Sequence, residues 1–289
     1  MTTRNNGLDP TSTFFRWAGG KRRSVRYLRA LVPADYANRL YREPFLGAGS
    51  LFFALRPRRA YLSDLNSDLV AAFQQVRENP RLVSRYLSRH ASSDCREYYY
   101  SARDLYNSAA VGSAAQAARF IYLNRTCFNG IFRVNLDNKF NVPYGYNTSP
   151  RFPSRNHLEE IGAALHGAQL VDADYQDALS DASKEDFVYL DPPYPPLNGT
   201  SFFRHYTPQR FDAADQERLA GYVDDLTSRG CLVMMSNADT PHIRNLYSGF
   251  QATRIPVTRH VTSSKSKHTV SELIITNYET QTDGGGVRL

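Results

Sequence analysis

Short apolar runs alternate with amphipathic helical patterns in two blocks, and a stretch lacking this alternation separates them. No other feature of the chain limits the fold so tightly. An apolar run bounded by turn residues reads as a strand buried on both faces, and a helix-length connection lets successive strands lie parallel. In the first block, residues 21–31 read as a helix with Val25, Leu28 and Leu31 on one face and Arg22, Arg26 and Arg29 on another. "RLYREPFLG" reads as a strand entering a glycine loop and "SLFFAL" as the next helix. "AYLSDLN" is a second strand ending in an acid, followed by a helix bearing Leu69, Phe73 and Val76. The second block holds "AQLVDADY", "DFVYLDPPY", "CLVMMSN" and "SELIITNY" as strands. Its helix, residues 212–229, sets Leu219, Tyr222, Val223 and Leu226 on one face, with Asp212 as cap and Gly230 as stop.

This pattern predicts a doubly wound α/β domain over residues 13–77 and 169–280. Residues 78–168 read as an insertion, mostly helical, with "AAQAARFIYL" as one helix and a loop-rich, aromatic, basic stretch over residues 124–155. Residues 1–12 and 281–289 are polar or glycine-rich and read as flexible tails.

Composition narrows the function classes. A formal charge of +7 and a pI near 9.3 favour an anionic partner, with nucleic acid leading. Cys95, Cys127 and Cys231 lack C-x-x-C spacing, so a zinc site or a disulfide framework is not expected. His157, His166, His205, His242 and His260 show no metal-ligand spacing, and no metal is expected. No apolar stretch approaches the roughly 20 residues that span a bilayer, and no apolar leader opens the chain. A cytoplasmic protein without membrane contact is the expectation.

Three clusters carry chemistry. Gly47 and Gly49 lie between a strand and a helix, where a missing Cβ lets a ligand approach the backbone. Asp64 ends the next strand, the place where an acid accepts from ribose hydroxyls in doubly wound sheets. The absent third glycine disfavours a dinucleotide and suits a nucleoside ligand without pyrophosphate, such as S-adenosylmethionine. In "FFRWAGGKRR" the sole tryptophan, Trp17, precedes a Gly-Gly pair and Lys21, which could meet a carboxylate. Finally, Asp191-Pro192-Pro193-Tyr194 stiffens the chain directly after a buried strand. Tyr194 offers a stacking face, while the Asp191 carboxylate and the Pro192 carbonyl offer two acceptors to an exocyclic amine.

"FFRWAGGK", "EPFLGAGS", "YLSDLN", "CFNGIFRVN…FNVPYG", "LDPPY" and "SSKSKHTVSELIITNY" together resemble the class-α, Dam-type (D12) N6-adenine DNA methyltransferases. The likeness runs from about Phe14 to Tyr278, with the motifs in the family's order. It implies a Rossmann-like sheet of seven strands, S-adenosylmethionine as methyl donor with S-adenosylhomocysteine as product, and a target-recognition insertion carrying a β-hairpin. By motif, Trp17, Lys21, Phe45, Gly47, Gly49, Asp64, Asp174 and Tyr175 would contact the cofactor. Asp191, Pro192, Pro193 and Tyr194 would hold a flipped adenine, and methyl transfer would be direct, without a cysteine nucleophile.

The resemblance also implies double-stranded DNA as partner, with GATC or a related site as target. Arg16, Ile131, Arg133 and Pro143 match base-reading positions, since Arg pairs with guanine and apolar groups touch the thymine methyl. Phe128 and Asn129 match residues that enter the duplex beside the flipped base. Lys265, Lys267 and His268 in the late loop would grip phosphates. Two departures stand out: Ile131 replaces the usual Leu, and Tyr146-Asn147-Thr148 replaces Arg-Tyr-Lys. A monomeric enzyme and a cognate restriction endonuclease as genetic partner are also compatible. An RNA adenine-N6 or guanine-N2 methyltransferase sharing the DPPY pocket, or an inactive DNA-binding relative, are the competing readings.

Overall fold

The computed structural model describes residues 14–194, 211–260 and 267–280, with side chains described except at 258–260 and 267–270. A 3-10 turn at Lys21–Arg23 leads into α1 (Val25–Leu31), so the expected first helix begins as a tighter turn. Then follow β1 (Leu40–Glu43), α2 (Ser50–Leu55), β2 (Ala60–Asp64) and α3 (Ser67–Glu78). Between β2 and the next strand also lie α4 (Pro80–Ser92), α5 (Arg96–Ser108), α6 (Ala114–Thr126) and α7 (Arg155–Ala164). The second block contributes β3 (Ala168–Asp172), α8 (Tyr175–Ala178), β4 (Asp186–Leu190), α9 (Ala213–Ser228) and β5 (Leu232–Ala238). The described chain closes with α10 (Pro241–Leu246), β6 (Gln251–His260) and β7 (Lys267–Thr276).

Local chemistry sets these boundaries. Asp212 accepts from the Asp215 N–H at 3.1 Å while Asp215 accepts from the Asp212 N–H at 2.9 Å, a reciprocal cap that starts α9. Gly230, at φ +81°, ends it in a conformation costly for residues with a Cβ. Pro80 opens α4, where its missing N–H has no helical partner to lose.

The seven strands form one sheet in the order β3-β2-β1-β4-β5-β7-β6. Strands β1 to β5 are mutually parallel, and β7 runs antiparallel to both β5 and β6. This is the expected Rossmann-like methyltransferase sheet. Alternate side chains feed two cores: Phe187, Tyr189, Met234 and Ile274 enter one, while Val188, Leu190, Met235 and Ile275 enter the other. Helices cover both faces, as parallel strands buried on two sides require. The first core continues without a break into α4, α5 and α6 through residues such as Leu87, Tyr99 and Phe120.

The hairpin expected between Cys127 and Tyr144 takes a different form. Its two limbs meet at isolated antiparallel bridges, Cys127 with Tyr144 and Val134 with Phe140, instead of along a ladder. Scattered backbone bonds, such as the Asn141 N–H to the Arg133 carbonyl at 3.2 Å, are joined by Asn107, which accepts from the Phe140 N–H at 2.8 Å and donates to the Phe140 carbonyl at 3.0 Å.

One buried ion pair joins the two blocks. Arg42 of β1 donates from Nε to Asp186 of β4 at 2.7 Å, with both side chains about 4% exposed. Its Nη1 also reaches the Ala178 carbonyl at 3.0 Å and Asp181 at 2.7 Å. Removing Asp186 would leave the buried Arg42 only the Ala178 carbonyl and the largely exposed Asp181. We predict that Asp186→Ala lowers the unfolding free energy by about 3–5 kcal/mol in urea denaturation. A change below about 1 kcal/mol would show that the pair does not hold β1 to β4.

Candidate active site

The strand order places a switch point between β1 and β4. From β1 the chain winds outward through β2 and β3, and from β4 it winds the opposite way through β5. In open parallel sheets the crevice for ligands lies beyond the carboxyl ends of the strands flanking that point. Phe45 and Gly47 follow β1, Asp64 ends β2, and Asp191 follows β4 directly. The fold thus brings the sequence-predicted residues of separate motifs to one edge of the sheet.

The glycine loop is built around Asp64. One carboxylate oxygen accepts from the Gly47 N–H at 2.9 Å and the other from the Asn66 N–H at 3.0 Å. Burial pushes the Asp64 carboxyl up to about 6 despite these two donors. Gly47 has φ +47°, and a Cβ there would lie 2.9 Å from the Trp17 ring. The indole therefore lies against the loop backbone, and glycine is required both by φ and by contact. Gly49 takes φ +66° directly before α2.

Trp17 also stacks on Phe132 at 5.7 Å, which couples the glycine loop to the 127–144 segment. Asn124 at the end of α6 fixes the preceding residue. It accepts from the Arg16 N–H and donates to the Arg16 carbonyl, both at 2.7 Å. Arg125 donates to the Phe14 carbonyl at 3.0 and 2.7 Å. The Arg16 side chain then lies across Gly130, where a Cβ would approach its Cδ to 2.5 Å.

At the end of β4, Lys21 and Asp191 form an ion pair at 2.7 Å, with side chains 6% and 18% exposed. Lys21 Nζ also donates to the Gly19 carbonyl at 3.0 Å and lies 4.6 Å from the centre of the Tyr194 ring. Burial pushes the Asp191 carboxyl up to about 6 against the pull of Lys21. At neutral pH it is a carboxylate, an acceptor with no proton to offer. The Tyr194 hydroxyl donates to Glu272 of β7 at 3.2 Å, which fixes the ring from the far side.

Motif spacing singles out neither Glu272 nor Glu43. Glu43 ends β1, is 2% exposed and accepts from the Tyr41 hydroxyl at 2.8 Å. Burial pushes it up to about 8, with Asp191 and Asp64 adding like-charge repulsion. The available signal was an acid beside apolar strand residues: Glu43 ends β1 before Pro44-Phe45-Leu46, and Glu272 directly precedes Leu273, Ile274 and Ile275. Glu43, Asp64 and Asp191 are each held above their ordinary range by burial, and a bound cation such as a sulfonium or ammonium would offset that strain. The donor set thus fits S-adenosylmethionine. Among the described residues, no group of three His, Cys, Asp or Glu side chains converges as a metal set.

The remaining predicted residues divide. Phe45 and Tyr175 come together, their rings stacked at 5.5 Å. Asp174 caps α8 by accepting from the Gln176 N–H at 2.9 Å, and Tyr175 is buried with its hydroxyl 3.3 Å from Arg218 Nε. Phe128 and Asn129 are exposed, and Asn129 takes φ +56°. Pro143 meets them through its carbonyl, which accepts from the Phe128 N–H at 2.9 Å. Arg133 donates from Nε to Asn141 at 2.8 Å, and Ile131 is half-buried beside it. Lys265 lies outside the described residues, as do the side chains of Lys267 and His268.

Comparison with known proteins agrees with this geometry. Residues 17–262 match the family described as D12 class N6 adenine-specific DNA methyltransferase. The type II methyltransferase M1.LlaDCHI of Lactococcus lactis subsp. cremoris is 36% identical over 271 residues, covering 92% of this chain and 95% of that protein. The type II methyltransferase M.MjaIII of Methanocaldococcus jannaschii is 33% identical over 284 residues, covering 92% and 98%. The DNA adenine methylase of Vibrio cholerae is 32% identical over 265 residues, covering 90% and 94%. A family match over most of the chain, on a sheet whose strand ends gather that family's motifs, makes this protein a member of the D12 class of N6 adenine-specific DNA methyltransferases.

Proposed function

We propose that this DNA adenine methyltransferase acts on an adenine flipped from a short duplex site, GATC or a close variant, with S-adenosylmethionine as donor. The observation that carries the reading is Asp191, ion-paired to Lys21 beside the Tyr194 ring at the switch point. When bound, the cofactor supplies an electrophilic methyl group. Gly47 and Gly49 would let it approach the loop backbone, and Phe45 and Tyr175 would flank its adenine near Asp174. Asp64 would accept from its ribose, and Trp17 and Lys21 would contact its methionine part.

The target amine is oriented by the protein. Asp191 and the Pro192 carbonyl accept its two hydrogens, which turns the N6 lone pair out of the ring plane. Tyr194 stacks on the base, and Pro193 keeps the segment stiff. A carboxyl held near 6 is ionised at neutral pH and can take the proton that N6 sheds. A thiol has no part in this scheme: burial pushes Cys127 up to about 12 and raises Cys231 as well.

Site reading falls to the 78–168 insertion and to Arg16. The Arg133 Nε is held by Asn141, which leaves its Nη end for guanine, and Arg16 is set by Asn124 to do the same. Ile131 and Pro143 supply apolar contacts, Phe128 and Asn129 fill the unstacked gap, and Lys265, Lys267 and His268 grip phosphates. Work as a single chain in the cytoplasm belongs to the same reading. Pairing with a cognate restriction endonuclease is supported by the relatives named type II methyltransferases.

Two experiments test the assignment. Incubation with labelled donor should place N6-methyladenine in unmethylated duplex DNA, at GATC or a related site on sequencing. Asp191→Ala should abolish transfer and leave donor binding within about threefold. Label confined to RNA, or normal turnover by Asp191→Ala, would overturn the reading. The second experiment uses pH. Because protonation of Asp191 removes an acceptor, kcat should fall as pH drops through about 6. Lys21 holds that carboxyl down, so Lys21→Met at saturating donor should move the inflection upward. An unchanged inflection would separate the titration from this pair.

A further inference from the structure

Gln216 on α9 and Asn237 near the end of β5 are both 0% exposed, and a buried primary amide must satisfy its donors and its acceptor inside the protein. Three of these bonds run in series. The Ala238 N–H donates to Asn237 Oδ1 at 2.8 Å, Asn237 Nδ2 donates to Gln216 Oε1 at 3.0 Å, and Gln216 Nε2 donates to the Pro193 carbonyl at 2.9 Å. The two ends of this chain are backbone groups of fixed sense. The N–H of Ala238 only donates and the carbonyl of Pro193 only accepts, so each amide between them has one orientation that satisfies every contact. Turning either one over would face oxygen with oxygen or N–H with N–H in a dry core.

The Asp191-Pro192-Pro193-Tyr194 segment has a particular need for such a chain. Neither proline has an N–H, so main-chain anchoring at those two positions can go only through carbonyls. We propose that the Gln216–Asn237 relay is the positioning device for this segment. By taking the Pro193 carbonyl, Gln216 fixes the peptide between the stacking ring and the acceptor carboxylate. The Pro192 carbonyl remains as the backbone acceptor for the target amine. Asp191 and Tyr194 have further anchors, Lys21 for both and Glu272 for the Tyr194 hydroxyl. Neither Gln216 nor Asn237 touches substrate in this arrangement; both act through Pro193. The inference rests on the proposed use of Asp191 and Pro192 as acceptors.

The substitution Gln216→Glu isolates the effect. An ionised Glu keeps the acceptor for Asn237 and loses the donor to Pro193, whereas a protonated Glu restores that donor in the same shape. With wild-type protein assayed in parallel on duplex DNA, kcat of Gln216→Glu should fall about 30-fold at pH 9.5, above the range to which burial lifts a carboxyl in this core, as it lifts Glu43 to about 8. Donor affinity should stay within about threefold, and the ratio of variant to wild-type kcat should rise as pH is lowered toward 6. Gln216→Met, which has neither donor nor acceptor, should show the loss without the recovery at low pH, and it decides the matter should the Glu variant fail to fold. Wild-type kcat in either folded variant would overturn the relay. So would a pH-independent ratio for Gln216→Glu, which marks a merely structural residue. A wild-type protein without activity on DNA adenine would instead overturn the proposed function, so the two failures remain distinct.

Discussion

The ion pair between Lys21 and Asp191 is the contact through which the rest of the site is connected. It joins the turn before α1 to the residue after β4, two parts of the chain separated by the whole first block and the helices that follow it. Burial alone would favour a neutral Asp191, and Lys21 offsets part of that penalty. The same ammonium faces the Tyr194 ring. Through one lysine, the Asp191 carboxylate and the Tyr194 ring are set relative to each other.

The segment leading to Lys21 acts as a seam. Phe14 is held by Arg125, Arg16 by Asn124, and Trp17 lies between Phe132 and Gly47. One side of this short stretch therefore touches α6 and the 127–144 segment, and the other touches the glycine loop and Asp191. The indole thereby couples the 127–144 segment to the glycine loop. The continuous core beneath makes that connection stiff: Phe120 packs against Phe15 at 5.1 Å and against Phe132 at 5.3 Å.

Much of this was legible in the sequence because it is written in local signals. Apolar runs ending in Asp64 and Asp191, glycines at Gly47 and Gly49, and the cap at Asp212 each depend on neighbours within a few residues. What escaped depends on pairing across the chain. Lys21 reads as a cofactor contact, and its pairing with Asp191 at 2.7 Å is visible only in the fold. Glu43, Glu272, Gln216 and Asn237 look like isolated polar residues in buried elements, and their partners are fixed only once β1, β7, α9 and β5 are assembled. The antiparallel course of β7 leaves no mark in its apolar pattern, because side-chain alternation is the same in either direction. The 127–144 segment is expected as a hairpin only through the family resemblance, and it holds together by isolated bridges, scattered backbone bonds and side chains such as Asn107.

Lys21 and Asp191 act as one coupled unit at the strand ends. A double-mutant cycle on unfolding free energy tests it most directly, using Lys21→Met, Asp191→Asn and the two together. The account predicts that the losses are not additive, with a coupling of about 1–3 kcal/mol between two largely buried partners in contact. Losses that add within about 0.5 kcal/mol would show that the two side chains are merely near each other, and would contradict the account.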